Sequence, residues 1–229
     1  MKISALISLL SILTCSSALA QGSGDEDEST IAIHSPYRMS IVANGLIPHP
    51  ISNSAFRRSF DGIYDATLSV NFEVYKGFNV GLMGKNSGFQ TPADKIASLN
   101  TKEQYNVGGV RLSYDYFINK IAVFTPGINF GQCYIHAYEI MPITSSANVN
   151  PNAQGTYIEP ELTMSFYTEE DFAIGFNLSY EIVNTVFNPY ALALEQHGIV
   201  FTQSDLSGVT QNISIGFHFV YSFWKKKRK

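Results

Sequence analysis

Residues Gln211–Trp224 read QNISIGFHFVYSFW. Every second residue from Ile213 to Phe223 is large and apolar, and small or polar residues alternate with them except at Val220. A period of two predicts a β-strand with one apolar face and one small or polar face. Strands of soluble sandwiches usually run for about five or six residues. An alternating run of roughly eleven or more that ends in aromatic residues is typical of a tilted strand that crosses a lipid bilayer.

The same alternation recurs along the whole chain. It predicts earlier strands at about residues 37–44, 64–74, 78–82, 104–116, 122–134, 162–166 and 172–182. Short links alternate with long ones, and the long links are residues 46–62, 87–102, 137–156 and 185–207. Sorting of links by length is typical of an up-and-down barrel with tight turns at one end and long loops at the other. The sequence therefore predicts an all-β fold, a closed up-and-down antiparallel transmembrane β-barrel of eight strands.

Ten strands are the alternative, because residues 199–202 could extend a strand, while residues 190–195 could form a helical turn. Two features interrupt the pattern within the predicted strands. The apolar phase shifts at Gly108-Gly109, which predicts a β-bulge or a close approach of two backbones. Pro126 lies inside the fifth strand, where its missing N–H cannot donate to a neighbour.

The N-terminus indicates export. Lys2 precedes an apolar run, and Ala18 and Ala20 form a small-residue cleavage site. We therefore predict a signal peptide over residues 1–20, an acidic flexible leader over 21–36, the barrel over 37–224 and a basic periplasmic tail over 225–229. Cys15 allows a lipoprotein signal instead, although Thr14 in front of it is larger than such signals prefer. Cleavage after Ala20 leaves one cysteine and therefore no internal disulfide.

The composition agrees with an exported protein that faces lipid. Charged residues make up 15% of the chain, below the roughly 25% of soluble domains, and aromatic residues make up 13%. Export and a formal net charge of −4 argue against a nucleic-acid partner. A soluble periplasmic β-protein is the alternative, and it would need more charge on its surface.

The opposite face of each predicted strand would line the barrel interior. It brings charges of both signs into a space that eight strands leave only wide enough for side chains. Because buried charges must be paired, we predict a lumen charge network in which arginines bridge carboxylates. Its predicted members are Arg38, Asp65, Glu73, Arg111, Asp115 and Glu181. An ion path through the lumen is the alternative.

The last strand also contains a short assembly pattern, polar-x-Gly-x-x-hydrophobic-x-hydrophobic, at Ser214, Gly216, Phe219 and Tyr221. With this pattern and its link lengths, the chain resembles the small eight-stranded outer-membrane barrels represented by the OmpA membrane domain, OmpX and the opacity-type surface proteins. The resemblance implies a bacterial outer-membrane location, contact with outer-membrane lipid and folding by the barrel assembly machinery. The chain departs from the family pattern because basic residues 225–229 follow the terminal aromatic.

The resemblance implies a structural or surface-interaction role, in which the long loops meet an extracellular ligand that the sequence does not identify. The alternatives are a narrow channel for ions or small solutes and a lipid-modifying enzyme at the rim. We expect no enzyme: His136 with Glu139, or His197 with Glu195, could pair as base and orienting group, but neither has a nucleophile at a fixed spacing. We also expect no cofactor, and no metal, because His34, His49 and His197 lack the sequence spacing of metal ligands.

Aromatic residues at the ends of the predicted strands are expected to lie at the two membrane–water interfaces. These predicted interfacial anchors are Tyr75, Tyr114, Tyr116, Phe166, Tyr180, Phe223 and Trp224.

Overall fold

Alternating residues produce long antiparallel strands. The computed structural model describes residues 37–92, 101–119, 121–139, 152–185, 200–202 and 209–225. A short helix, α1, separates the first two strands and spans Ser54–Ser59. The strands are β1 Tyr37–Ser52, β2 Asp61–Tyr75, β3 Phe78–Gln90, β4 Thr101–Tyr114, the two-residue β5 Tyr116–Phe117, β6 Ala122–Glu139, β7 Asn152–Tyr167, β8 Phe172–Asn184 and β9 Thr210–Lys225.

The sheet closes on itself. Its order is β4-β3-β2-β1-β9-β8-β7-β6-β5, and β4 also pairs with β6. The first and last strands pair along most of their length, from Tyr37 opposite Lys225 to Ser52 opposite Gln211. Strands β4 and β5 pair with successive parts of β6, so together they form one strand of the barrel. The barrel therefore has eight strands, and the predicted fold class is confirmed. We call the end with short turns the turn end and the opposite end, which holds α1, the loop end.

The first tight turn forms as predicted. Lys76 and Gly77 both have positive φ, at 34° and 88°, which is the backbone that two-residue hairpin turns require. Glycine adopts this conformation without steric cost. The amide of Asp115 then donates to the carbonyl of Gly77 at 2.8 Å, so this turn also holds the end of β4.

The break between β4 and β5 explains the proline inside β6. Ser113 pairs with Gly127 and Tyr116 pairs with Phe124, so Pro126 and Thr125 lie opposite Tyr114 and Asp115, where the pairing with β6 is interrupted. A residue without an N–H is tolerated there because no ladder hydrogen bond is needed on that side.

The predicted bulge at Gly108-Gly109 is wrong, whereas the predicted close approach is right. The register of β4 runs without a shift through both glycines, with Gly109 opposite Gly131. A Cβ atom on Gly109 would lie 2.3 Å from the carbonyl oxygen of Phe130. The apolar phase shifts here for another reason: the interior becomes apolar towards the loop end, with Tyr105 buried, while the outward residues there are polar.

This inversion also explains why the predicted strands are too short at the loop end. The predicted loop 46–62 consists of the end of β1, helix α1 and the start of β2. Strand β3 continues to Gln90, and β7 begins already at Asn152. Outward residues near the loop end include Asn106, Gln132 and Gln154. The alternation of outward apolar and inward polar residues, by which the strands were predicted, has therefore ended there.

Nearer the turn end, outward side chains are apolar and exposed. They include Ile41, Leu68, Phe72, Leu82, Ile128, Phe130, Leu162, Phe166, Ile174, Phe176, Leu178, Ile213, Ile215, Phe217, Phe219 and Tyr221. No helix in the ranges given above is long and apolar enough to cross a membrane. The predicted signal peptide, the acidic leader, the helical turn at 190–195, residues 226–229 and the side chain of Trp224 lie outside the described residues.

Candidate functional site

The centre of the barrel holds a lysine surrounded by three carboxylates. Lys85 is on the inward phase of β3 and its side chain is fully buried. Its Nζ lies 2.7 Å from Asp65 Oδ2, 2.8 Å from Glu159 Oε1 and 2.8 Å from Glu181 Oε2. The ring of Tyr157 lies 5.4 Å from the same nitrogen, and its hydroxyl donates to Glu159. Ion pairs stabilise such buried charges against their loss of hydration.

A second ion pair lies nearer the turn end. Arg111 on β4 donates from Nε to Glu161 Oε1 at 2.6 Å, and its Nη2 lies 2.6 Å from the same oxygen. The amide of Asn129 links the two groups, because its Nδ2 donates to Glu159 Oε2 at 3.0 Å and to Glu161 Oε2 at 3.2 Å. The two buried cations therefore belong to one connected set of polar side chains.

Further donors complete the carboxylates. Asn212 donates to Glu181 Oε1 at 2.8 Å, Ser214 donates to Asp65 Oδ2 at 3.1 Å, and Asn177 donates to Glu161 Oε2 at 3.3 Å. We call this set the lumen network, and it joins strands β2, β3, β4, β6, β7, β8 and β9. Its members are Asp65, Lys85, Arg111, Asn129, Glu159, Glu161, Asn177, Glu181, Asn212 and Ser214.

Towards the loop end the interior is mostly apolar, although Thr101 and Glu103 are also buried there, and it is filled from above by α1. Phe56 of this helix and Phe60, its C-cap, are fully buried. The ring of Phe56 lies 5.1 Å from that of Phe89, which lies 4.9 Å from that of Tyr105. We call these side chains, together with the other buried apolar residues around them, the mouth cluster. Its members are Ala55, Phe56, Phe60, Met83, Phe89, Tyr105, Val107, Cys133, Ile135, Ala137, Tyr157, Val183 and Phe201.

The sequence around α1 explains how the helix is placed. Asn53 is the N-cap with a φ of 61°, and its side chain accepts a hydrogen bond from the amide of Phe56 at 3.2 Å. Asparagine is favoured at such caps and tolerates positive φ. The spacing of four residues puts Phe56 and Phe60 on the inward face, while Arg57 and Arg58 are exposed.

A small polar cavity remains at the turn end. It has a volume of about 40 Å³ and is lined by Arg38, Asn71, Arg111, Asp115 and His218, among others. Asp115 accepts from Asn79 Nδ2 at 2.9 Å and from Thr125 Oγ1 at 2.8 Å, so its carboxylate is held by neutral donors. The space accommodates a few water molecules.

The six predicted network residues therefore fall into separate groups. Asp65 and Glu181 meet at Lys85, Arg111 pairs with Glu161, and Asp115 is held by neutral donors. Glu73 is half-buried and accepts from the amide of Gly77 at 3.2 Å, in the first turn. Arg38 is exposed and makes no ion pair within the described ranges.

Sequence reasoning missed Lys85, Glu159 and Glu161. All three lie on the inward phase of their strands, Lys85 two residues beyond Met83 and the two glutamates in step with Thr163. The sequence signal that could have identified them is the inward–outward alternation of β3 and β7, which continues past the predicted ends of these strands.

The four residues of the assembly pattern lie on both faces of β9. Ser214 is buried in the lumen network, whereas Phe219 and Tyr221 are exposed on the outside. Gly216 packs closely against β1, because a Cβ there would lie 2.2 Å from the carbonyl oxygen of Gly45. Of the predicted interfacial aromatics, Tyr75, Tyr114, Tyr116 and Phe166 are exposed, and Tyr180 and Phe223 are partly exposed.

Carboxylates and histidines are the side chains that could bind a metal ion or act as a catalytic base. Carboxylate oxygens of Asp65, Glu159 and Glu181 lie within 4.8 Å of one another, a spacing that suits a metal ion. The ammonium group of Lys85 already occupies the position between them. His49 is exposed, and His136 Nδ1 shares a hydrogen bond with Asn152. His34, His197, Glu195 and the side chain of Glu139 lie outside the described residues.

No family model matches the chain, and no curated protein matches it. Among solved structures, it is similar to neisserial surface protein A, at 11% identity over 81% of this chain and 97% of the other, with a TM-score of 0.48. It is similar to Ail of Yersinia pestis in complex with the heparin analogue sucrose octasulfate, at 13% identity over 82% and 99%, with a TM-score of 0.43. It is also similar to the outer-membrane protease OmpT of Escherichia coli, at 6% identity over 85% and 99%, with a TM-score of 0.40.

Proposed function

We propose that the chain is an integral outer-membrane β-barrel with a closed lumen that supports an interaction surface at its loop end. The observation that carries this proposal is the combination of an apolar outer wall with an interior filled by the lumen network and the mouth cluster. The wall fits lipid, and the filled interior favours a scaffold over a transport path.

The outer wall supports the membrane location. Leu82, Ile215 and Phe217 are more than half exposed, at 69%, 62% and 61%, and they belong to a band of apolar side chains that encircles the barrel. A soluble monomer rarely exposes an apolar patch of more than a few hundred Å². An apolar outer wall is unfavourable in water but not in the hydrocarbon of a bilayer. A closed barrel also satisfies all its backbone hydrogen bonds internally, as the bilayer requires.

The interior supports a structural role. The interior of an eight-stranded barrel has room for side chains or for one small ligand. Here the central layer is occupied by ion pairs around Lys85 and Arg111, and the loop end is occupied by Phe56 of α1 and by Phe60, which caps this helix. We therefore expect the protein to conduct no ions at a steady level.

The loop end is the surface on which we expect a partner to bind. Helix α1 places the side chains of Arg57 and Arg58 on the outside, above the mouth cluster. The strands project beyond the apolar band and raise this surface above the lipid. Rigid strands that present variable connections are a common basis for binding. We expect no catalytic activity, and we expect the assembly machinery to recognise β9 through Ser214, Gly216, Phe219 and Tyr221.

The first test is fractionation of expressing cells, followed by gel electrophoresis of the outer-membrane fraction with and without boiling. We expect a band in that fraction that migrates faster before boiling than after it. A single unshifted band in the soluble periplasmic fraction would contradict the proposal.

Planar bilayers then separate the scaffold from the channel. Absence of ionic current, at protein amounts that give robust currents with a known porin, supports the structural role. Steady unitary currents would make the barrel a channel instead. The enzyme alternative is tested by the mass spectrum of lipid A from expressing cells, which we expect to be unchanged.

A further inference from the structure

A shallow groove crosses the outside of the barrel at the upper border of the apolar band. It has a volume of about 600 Å³ and is open to the outside over most of its extent. Its floor is an outward cross-strand row, in which Ala43 pairs with Leu68, Leu68 with Gly84, and Gly84 with Gly108. The row is low at the two glycines, whereas the exposed side chain of Leu68 stands beside them. The groove therefore runs across β1, β2, β3 and β4.

The floor is low because bulky rows border it. The next outward row towards the turn end contains Leu82 and Val110, which pair with each other. In contrast, a Cβ atom built on Gly84 or on Gly108 meets nothing within 4 Å. The two glycines thus leave an open slot in an otherwise apolar wall.

The upper border of the groove is a row of hydrogen-bonding side chains. Tyr64 Oη donates to Asn86 Oδ1 at 2.6 Å, and Asn86 Nδ2 donates to Asn106 Oδ1 at 2.7 Å. Asn106 pairs with Tyr134, whose side chain is 55% exposed. We call Tyr64, Asn86, Asn106 and Tyr134 the amide row. It is uncharged, which suits hydroxyl groups better than a phosphate.

We infer that this groove binds a sugar-headed lipid of the outer leaflet, with its first methylenes in the slot at Gly84 and Gly108 and its sugar hydroxyls on the amide row. The apolar floor continues into the band that faces the acyl chains, while the amide row lies on the loop-end side where head groups begin. A single amphiphile standing upright in the leaflet matches both surfaces at once. The inference rests on the proposed membrane location.

The test uses the full-length protein in phosphatidylcholine nanodiscs that also contain glucosyl diacylglycerol or phosphatidylglycerol with the same acyl chains. Native mass spectrometry counts the lipids that each released barrel retains. We expect glucosyl diacylglycerol to be retained preferentially. The double variant Gly84→Leu/Gly108→Leu fills the slot and should lower its retention about tenfold, because the displaced methylenes lose their apolar contact.

Two further variants make the test specific. Ile174→Phe adds bulk to the outer wall on β8, away from the groove, and should retain the sugar lipid like the wild type. Asn86→Leu/Asn106→Leu keeps the floor and should remove the preference for the sugar lipid over phosphatidylglycerol. Each variant is first checked for a heat-modifiable band, so that loss of the fold is not mistaken for loss of the site.

The outcomes separate this inference from the proposed function. Equal retention of both lipids, preference for phosphatidylglycerol, or unchanged retention in Gly84→Leu/Gly108→Leu would each overturn the lipid site while leaving a barrel in the membrane intact. A dimer that disappears in Gly84→Leu/Gly108→Leu, with no retained lipid, would assign the groove to contact between two copies. Absence of the wild type from the outer membrane would overturn the proposed function itself.

Discussion

Lys85 Nζ lies 2.7 Å from Asp65 Oδ2, and neither side chain is exposed to solvent. The two residues come from neighbouring strands, β3 and β2, and Lys85 also reaches Glu159 and Glu181 across the lumen. Three carboxylates thus depend on one cation for their charge compensation. Removal of that cation would leave like charges together in a site of low dielectric constant.

Substitution Lys85→Met is therefore expected to destabilise the barrel strongly. Breaking a buried ion pair by removing one partner costs about 3–5 kcal/mol, because the remaining charge is uncompensated. Unfolding by urea in lipid vesicles, followed by the heat-modifiable band, measures the loss. Lys102→Met on the outside of β4 is the matched control and should change little. Equal stability of the two variants would show that the cluster around Lys85 contributes nothing.

Substitution Arg111→Ala tests the second ion pair. It leaves Glu161 buried with only the amides of Asn129 and Asn177, and we expect a loss of about 3 kcal/mol in the free energy of unfolding. The control is Arg38→Ala, which removes an exposed arginine that lines the turn-end cavity together with Arg111. It should change the free energy of unfolding little. If both variants resist urea as well as the wild type, the lumen network is not a source of stability.

Anchoring of α1 by its phenylalanines can be tested with a protease. Phe56→Ala removes a fully buried ring from the mouth cluster and should loosen the helix, because large-to-small core substitutions cost about 3–5 kcal/mol. Trypsin added to intact cells should then cleave after Arg57 or Arg58 much faster than in the wild type, since cleavage requires local opening. Ile47→Ala on the exposed face of β1 is the control. Unchanged cleavage in Phe56→Ala would mean that the helix is held by other contacts.

The sequence predicted the fold through a single physical feature, which is the alternation imposed by lipid outside and polar side chains inside. It therefore identified the strands up to the border of the apolar band, including β9 and the turn at Lys76-Gly77. It failed beyond that border, because Tyr105 faces an apolar interior while Asn106 faces outward, and the alternation changes sign there. The helix at Ser54–Ser59 was missed for a related reason, since six residues are too few for a periodic signal.

The candidate site was predicted less completely than the fold. Inward phase indicated that Asp65, Arg111 and Glu181 line the lumen, but phase does not determine which strand a long side chain faces across the barrel. That depends on the stagger of the strands, which places Glu161 opposite Arg111 and gathers Glu159 at Lys85. Lys85 itself lies beyond the predicted end of β3.

The facing of β9 gives the last prediction. Phe217 is on the outer wall and 61% exposed, so Phe217→Asp should place a carboxylate in hydrocarbon at a cost of about 2 kcal/mol. Ser214→Asp would be a poor control, because Ser214 donates to Asp65 and the new carboxylate would repel it. Ser222→Asp is better, since Ser222 is inward and lines the turn-end cavity, where two arginines, Arg38 and Arg111, outnumber the one carboxylate of Asp115. Folding titrations into vesicles should find Phe217→Asp clearly less stable than Ser222→Asp, and the reverse order would mean that the assigned faces of the strand are exchanged.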